Sequence, residues 1–168
     1  MLFIAENNTG KTVLALDLGS EMGYAAACAN GRQFSGLRHI GAAAEGFKGR
    51  RWAELRRNLT SIQSDAGGID IIAYERGSFF KSIAAGADYF GLVATLQLWA
   101  WENEIAIKPA SPGSVKKHVT GGGRAKKEAV IFAVRQAGFD PSGSDEADAI
   151  ALRDFVLSVL NQPVNEVA

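Results

Sequence analysis

Four acidic residues stand at positions in this chain where their carboxylates could act together. Asp17 ends a short apolar run immediately before a glycine turn, and Glu75 ends a second, β-branched apolar run. Asp145 and Asp148 are three residues apart in the first turn of a predicted helix, so they share one face. The carboxyl ends of strands are where α/β sheets place ligands. The four positions therefore indicate a shared site.

The chemistry that this set of acids suggests is metal-dependent hydrolysis of a phosphodiester. Carboxylate oxygens are hard ligands that suit Mg²⁺, for which Mn²⁺ can substitute. Four of them can hold two ions about 3.5–4 Å apart, one activating water and one stabilising the leaving oxygen. The partly positive helix start should help to keep Asp145 and Asp148 ionised. A single acid at a strand end is usually a solvated residue or a cap, so the hypothesis depends on all four.

The charge distribution favours a nucleic-acid substrate although the chain is neutral overall. It has 18 acidic and 18 basic residues, and setting the four candidate acids aside leaves a balance of four positive charges. A segment from Lys108 to Lys127 is rich in basic residues and contains no acid. In a second basic segment, from Lys48 to Arg57, Glu54 is the single acid. Local stripes of this kind matter more for phosphate binding than the average charge. Their bases are Lys108, Lys116, Lys117, Arg124, Lys126 and Lys127 in the first, and Lys48, Arg50, Arg51, Arg56 and Arg57 in the second.

The hydrophobic periodicity predicts a mixed α/β sheet, with three antiparallel strands followed by parallel strands and flanking helices. Asn30-Gly31 is a hairpin signal, Pro109 and Pro112 should break the chain, and Ser144 should cap the last helix. The predicted strands are Val13–Leu16, Gly23–Ala29, Gln33–Ile40, Ile69–Tyr74 and Ile105–Lys108. The predicted helices are Phe47–Ser64 (basic residues outward), Ile83–Asn103, Val115–Val119, Lys126–Ala137 and Asp145–Leu160.

Length and composition suit one intracellular domain. The 168 residues predict a single domain over 1–168 with a frayed tail from about 161. No apolar run reaches the roughly 20 residues of a membrane span, and the N-terminus lacks a secretory pattern. Cys28 is the only cysteine, which excludes an internal disulfide and a cysteine-based zinc site. We therefore expect a cytoplasmic protein without a membrane partner and with Cys28 buried.

Four segments, in order over about residues 12 to 155, resemble motifs of the RuvC family of Holliday junction resolvases. The first resembles that family's opening acidic strand and turn, the second its second acidic strand, the third its basic segment, and the fourth its closing D-x-x-D-A-hydrophobic-A motif. These segments are Leu16-Asp17-Leu18-Gly19-Ser20-x-x-Gly23-Tyr24, Ala73-Tyr74-Glu75, Pro112 to Lys127, and Ser144 to Leu152.

The resemblance implies a ribonuclease-H-like fold and a homodimer that makes paired symmetric nicks in a four-way (Holliday) DNA junction. It implies metal ligation, with two Mg²⁺ ions per active site, by Asp17, Glu75, Asp145 and Asp148. It assigns contacts to the DNA backbone and stabilisation of transition-state charge to Lys116 and Lys127. It assigns the dimer contacts to the helix around residues 83–103. We also expect Lys117, Arg124 and Lys126 to contact DNA.

The sequence departs from the family pattern at several positions. Leu18 and Met22 replace the proline and threonine that members often carry, and Ser78 stands where cellular members often carry an aromatic residue. Phe79, Phe80 and Lys81 follow, and these phenylalanines could wedge into an opened base step or be buried under the loop. The departures resemble phage or prophage relatives more than the housekeeping bacterial enzyme. His118 could touch a phosphate, although a plain surface role is the simpler interpretation.

Three alternatives remain open on sequence grounds. A broader branched-DNA debranching enzyme, or another ribonuclease-H-like nuclease, would share the fold and the metal site. An actin-like or sugar-kinase-like phosphotransferase opens with a similar strand and turn around Asp17, but it needs two lobes with ATP between them. A non-catalytic junction-binding module would gain nothing from four clustered carboxylates, because they repel DNA unless metal neutralises them.

Overall fold

The computed structural model of this protein describes residues 5–41, 48–77 and 80–162. Within them, three strands come first, two further strands alternate with the first two helices, and three helices follow the last strand. The strands are β1 Val13–Asp17, β2 Glu21–Ala27, β3 Gln33–His39, β4 Ile71–Glu75 and β5 Ala106–Ala110. The helices are α1 Lys48–Ala66, α2 Ile83–Glu102, α3 Pro112–Thr120, α4 Lys127–Gln136 and α5 Ser144–Leu160.

The five strands form one mixed sheet in the order β3-β2-β1-β4-β5. β2 is antiparallel to both β1 and β3, whereas β4 is parallel to both β1 and β5. The α/β architecture predicted from the sequence, three antiparallel strands followed by parallel strands with flanking helices, is confirmed. The carboxyl ends of β1, β4 and β5 consequently lie at one edge of the sheet.

Helices cover both faces of the sheet, and the alternation of side chains along each strand decides which residue meets which layer. Leu14, Leu16, Ile72 and Tyr74 point into a core built with α1 and α2. The odd-numbered residues of β1 and β4 point into the opposite core, which α3, α4 and α5 complete. The same parity directs the last residue of each of these strands toward the α5 side.

Two predicted boundaries are wrong, each for an identifiable reason. Pro109 does not break the chain but lies within β5, paired with Tyr74. β5 is an edge strand, so a residue without an N–H group is tolerated there. Ser144 is not the N-cap of the last helix but its first residue, because Gly143 occupies the capping position.

The prediction that α1 keeps its basic residues outward is also wrong for one of them. Arg51 is only 6% exposed. Its guanidinium donates hydrogen bonds to the Ser20 hydroxyl (3.1 Å) and to the carbonyl of Gly41 (2.7 Å), and it lies 3.3 Å from the Asp88 carboxylate on α2. Arg51 therefore ties the turn that follows β1 to α2. Cys28 is buried, as expected, and none of the described helices is long and apolar enough to cross a membrane.

Candidate active site

The two strand-borne acids are brought together by the pairing of β1 with β4. These strands are parallel and adjacent, with Leu16 opposite Tyr74, so Asp17 and Glu75 end neighbouring strands at the same edge. Asp17 lies on the same face of β1 as Val13 and Ala15, and Glu75 lies on the same face of β4 as Ile71 and Ala73. These four apolar residues all face the α5 core. Both carboxylates are therefore directed to the side of the sheet that α5 covers.

The two helix-borne acids are delivered to the same place by the first turns of α5. Asp145 and Asp148 are partly exposed, although α5 is otherwise largely buried against β1 and β2. A Cβ atom added to Gly23 of β2 would lie 1.8 Å from the carbonyl oxygen of Asp145. Only a glycine on β2 allows α5 to approach this closely, and this accounts for Gly23 in the opening motif.

Negative charge accumulates where the four acids meet. Burial, followed by the charges of Asp148, Glu75 and Asp145, raises the pKa of Asp17 to about 7, and Lys127 opposes the shift. Burial and the charge of Asp148 likewise raise the pKa of Glu75 to about 7, against Lys116 and Lys127. The negative charge of neighbouring acids therefore disfavours the ionisation of Asp17 and Glu75.

Asp148 does not behave as the helix-start argument predicted. Its pKa is raised, first by burial and then by the charge of Asp145, although Lys127 and Lys116 act in the opposite direction. Desolvation therefore outweighs any benefit from the amino end of α5. The pKa of Asp148 is therefore shifted in the direction opposite to the one that the helix start alone would give.

Lys116 and Lys127 are the lysines that the fold places beside the acids. The Lys127 ammonium donates to the Ser144 hydroxyl (3.2 Å) and lies 3.5 Å from Asp145 Oδ1, with 60% of its side chain exposed. Lys116, on α3, is close enough to lower the pKa of both Glu75 and Asp148. The other bases predicted to bind DNA are exposed around the turn between α3 and α4 or at the start of α2, namely Lys117, Arg124, Lys126 and Lys81.

The donor set fits a hard divalent cation in chemistry and charge. Buried carboxylates whose pKa values lie near 7 gain most from a positive ion, since it removes the repulsion that disfavours their ionisation. The side chains do not converge into a coordination shell. Within residues 5–41, 48–77 and 80–162, no three His, Cys, Asp or Glu side chains are arranged to hold one ion.

A cavity of about 270 Å³ opens beside the acids, and its lining includes Tyr89 and Arg76, which were not predicted to belong to the site. Tyr89 of α2 donates from its hydroxyl to the carbonyl of Glu75 (2.5 Å) and accepts from the Gly77 N–H (2.8 Å). Helical periodicity places Tyr89 on the apolar face of α2 and does not reveal these hydrogen bonds. Arg76 also lines this cavity, and its position directly after Glu75 was the signal that could have identified it.

Glu146 is a further residue that sequence reasoning missed, and it holds the start of α5 in place. Its side chain accepts hydrogen bonds from the N–H (2.9 Å) and hydroxyl (2.5 Å) of Ser142, and from the Ser35 hydroxyl on β3 (2.7 Å). Burial opposes ionisation, but these donors outweigh it and lower the pKa of Glu146. Because Glu146 lies between Asp145 and Asp148, these bonds help to position both acids.

Phe80 and His118, which the sequence offered as possible DNA contacts, both have partners within the protein. Phe79 lies outside the described residues. Phe80 is 37% exposed and packs its ring 5.3 Å from the Tyr89 ring and 5.5 Å from that of Phe90, measured between centroids. His118 Nε2 lies 2.9 Å from Asp154 Oδ2, so this imidazole has a protein partner.

The sheet order and the helices on both faces are those of a ribonuclease-H-like fold. A Thermus thermophilus RuvC structure matches with a TM-score of 0.69 and 20% identity over 88% of this chain and 95% of that one. The same organism's RuvC in complex with a Holliday junction substrate gives 0.72 and 20% over 89% and 95%. The yeast mitochondrial Holliday junction resolvase Ydc2 gives 0.63 and 12% over 95% and 81%. These likenesses confirm a RuvC-like fold. No protein-family model and no curated protein sequence matches the chain.

Proposed function

We propose that this protein is a metal-dependent endodeoxyribonuclease that resolves four-way DNA junctions. The observation that carries the proposal is the placement of Asp17, Glu75, Asp145 and Asp148 on one side of the sheet, where burial and neighbouring negative charge raise the pKa of Asp17 and Glu75 to about 7. The choice of substrate is supported by the RuvC-like fold, since one of the matching proteins was solved with a Holliday junction.

The four acids would hold the metal, with Mg²⁺ as the expected ion, Mn²⁺ as its substitute and two ions per active site. When bound, such ions supply a Lewis acid and a nucleophilic water for phosphodiester hydrolysis. Lys127 holds Asp145 through its ammonium and through Ser144, and its exposed end can reach a phosphate. Lys116 places a second positive charge beside Glu75 and Asp148. Tyr89 fixes the backbone on both sides of Arg76.

A homodimer is part of the proposal, because symmetric paired nicks require two active sites. α2 exposes large apolar side chains that a monomer would leave in water: Ile83 is 94% exposed, Trp101 82%, Phe90 57% and Leu98 54%. Exposed apolar surfaces of this kind mark interaction sites. Sedimentation should give a dimer for the wild-type chain and a shift toward monomer for Trp101→Glu, while an unchanged mass would remove α2 from the interface.

The test is cleavage of a panel of labelled DNAs in the presence of Mg²⁺. We expect paired symmetric nicks in a four-way junction and little cutting of linear duplex, with a three-way junction and a Y-fork as intermediate substrates. Equal cutting of all branched forms would favour the second candidate, a broader debranching nuclease with the same site. Absence of cleavage of every branched DNA, or hydrolysis of ATP instead, would overturn the proposal.

A further inference from the structure

A second cavity, of about 360 Å³, lies beside the candidate active site and is separated from it by Arg76. Arg76 lines both this cavity and the one that contains Asp17 and Glu75. We call this second cavity the β5 groove, because it runs along β5 and the carboxyl half of α5. Its lining residues are Arg76, Ile107, Lys108, Pro109, Ala110, Ser111, Ser114, Phe155, Val156 and Val159.

The side chains of the β5 groove combine positive charge with hydroxyl groups and an apolar floor. Arg76 and Lys108 are both exposed cations, and Ser111 and Ser114 add hydroxyls. None of its described lining residues is acidic. In a chain with no net charge, two cations without a neighbouring acid in the same groove indicate an anionic occupant.

The position of Lys108 follows from the sheet register. It pairs with Ala73, a residue of the core on the α5 side, so the Lys108 side chain stands on the same face as the candidate catalytic acids. Because β5 is the edge strand, nothing in the sheet lies beyond it. The groove is therefore an open continuation of the catalytic face past Arg76.

We propose that the β5 groove binds the sugar–phosphate backbone of the DNA strand where that strand leaves the active site. Arg76 and Lys108 contact successive phosphates, the two serines donate to phosphate oxygens, and the sugars lie on the apolar floor formed by α5. Contacts to phosphate position a nucleic acid without reading its sequence. The proposal rests on the nuclease function above, and it assigns a strand path that the four acids and the segment Lys116–Lys127 do not cover.

The first test compares matched double variants in an Asp17→Asn background, so that bound DNA is not cut. Arg76→Gln with Lys108→Gln removes both groove cations. Lys11→Gln with Arg32→Gln removes the same charge from two exposed positions, before β1 and directly before β3, at the end of the sheet opposite the acids. Each phosphate contact contributes about 0.7–0.9 to the slope of log affinity against log salt. We therefore expect the groove pair to lower that slope by about 1.5 and the control pair to leave it unchanged.

The second test locates the DNA directly. Cys28 is the only cysteine and is buried, so Ser114→Cys gives the protein a single accessible thiol. With a thiol-linked photo-crosslinker, this thiol should react with a short stretch of one strand on one side of the scissile phosphate. Ser61→Cys, an exposed position on α1 across the sheet, is the matched control. Equal yields from both thiols would overturn the proposal.

The nuclease function and DNA binding in the β5 groove can be tested separately. If the wild-type protein cuts no branched DNA with Mg²⁺, the nuclease function fails whatever the groove binds. If it cuts junctions normally while the groove pair keeps the affinity and salt slope of the control pair, only the β5 groove is overturned. Equal thermal unfolding of both double variants would exclude misfolding as the cause of a loss, and charge reversal by Arg76→Glu gives a second measure.

Discussion

Burial acts to raise the pKa of both Asp17 and Glu146, two carboxylates of the same region, yet their net pKa shifts are opposite. Burial and three neighbouring acids raise the pKa of Asp17 to about 7. Glu146 is only 7% exposed, yet its pKa is lowered because Ser142 and Ser35 donate hydrogen bonds to it. The comparison shows that burial alone does not mark a functional acid. What distinguishes Asp17 is the lack of compensating donors among the described residues around it.

The difference gives the two acids different roles. Glu146 is satisfied within the protein, so it needs no ligand and contributes to stability. Asp17 and Glu75 carry charge that the described part of the chain only partly compensates through Lys116 and Lys127. Such a pair costs stability unless a cation occupies the site. Substitutions at these carboxylates should therefore differ in their effects on cleavage and on stability.

Asp17→Asn should nearly abolish cleavage and leave junction binding close to that of the wild-type protein. Loss of a metal ligand removes about 4 kcal/mol of transition-state stabilisation, which is about a thousandfold in rate. The measurement is single-turnover cleavage of a labelled junction with Mg²⁺, alongside the dissociation constant. Asp140→Asn, whose side chain is 97% exposed, is the matched control and should cut normally. Normal cutting by Asp17→Asn would disprove the metal assignment.

Without divalent cation, Asp17→Asn should stabilise the protein at high pH. The folded pKa of about 7 lies above the unfolded value of 3.8, so this group's contribution to stability is complete below pH 3.8 and is lost as pH rises through about 7. Between pH 5 and pH 8.5 the variant should therefore gain about 3 kcal/mol on the wild-type chain. Urea unfolding in a chelator measures this. No gain would mean that neither burial nor the neighbouring acids raise the pKa of Asp17 in the folded protein.

Glu146→Gln should destabilise the fold by about 2 kcal/mol at pH 7 and reduce cleavage much less than Asp17→Asn. The amide replaces an acceptor oxygen with a donor and leaves one of the Ser142 or Ser35 groups unpaired. Because the folded pKa is lowered, the carboxylate's contribution is present above the unfolded value of 4.5 and disappears as pH falls through the folded pKa. The difference between variant and wild type should shrink accordingly.

Glu104→Gln provides the control for this substitution. Glu104 is an exposed residue in the turn after α2. We expect the free energy of unfolding of this variant to lie within about 0.5 kcal/mol of the wild-type value, both at pH 7 and at acidic pH. If Glu146→Gln were as stable as Glu104→Gln, the bonds to Ser142 and Ser35 would not hold the start of α5, and the contrast with Asp17 would lose one side.

The acids themselves could be predicted from the sequence, whereas their environments could not. Asp17 and Glu75 end apolar runs, and such runs reveal strands whose carboxyl ends must meet in a parallel sheet. The fold class followed from the same runs. The roles of Glu146 and Arg51 depend on Ser35 and Asp88, which lie on elements distant in sequence and form no local pattern. The role of Tyr89 could not be predicted, because its ring packs like a core residue while its hydroxyl donates to the backbone carbonyl of Glu75.

Lys127→Ala should slow cleavage about tenfold more than it weakens junction binding. Its ammonium lies 3.5 Å from Asp145, so its loss adds negative charge at the acids as well as removing a phosphate contact. Lys126→Ala is the control, since this exposed neighbour lies at the N-cap of α4. It should lower the salt slope by about 0.9 and leave cleavage of saturating junction unchanged. If both variants lose affinity and rate in the same proportion, Lys127 is only a phosphate contact, and the uncompensated charge at Asp17 must be balanced by the metal alone.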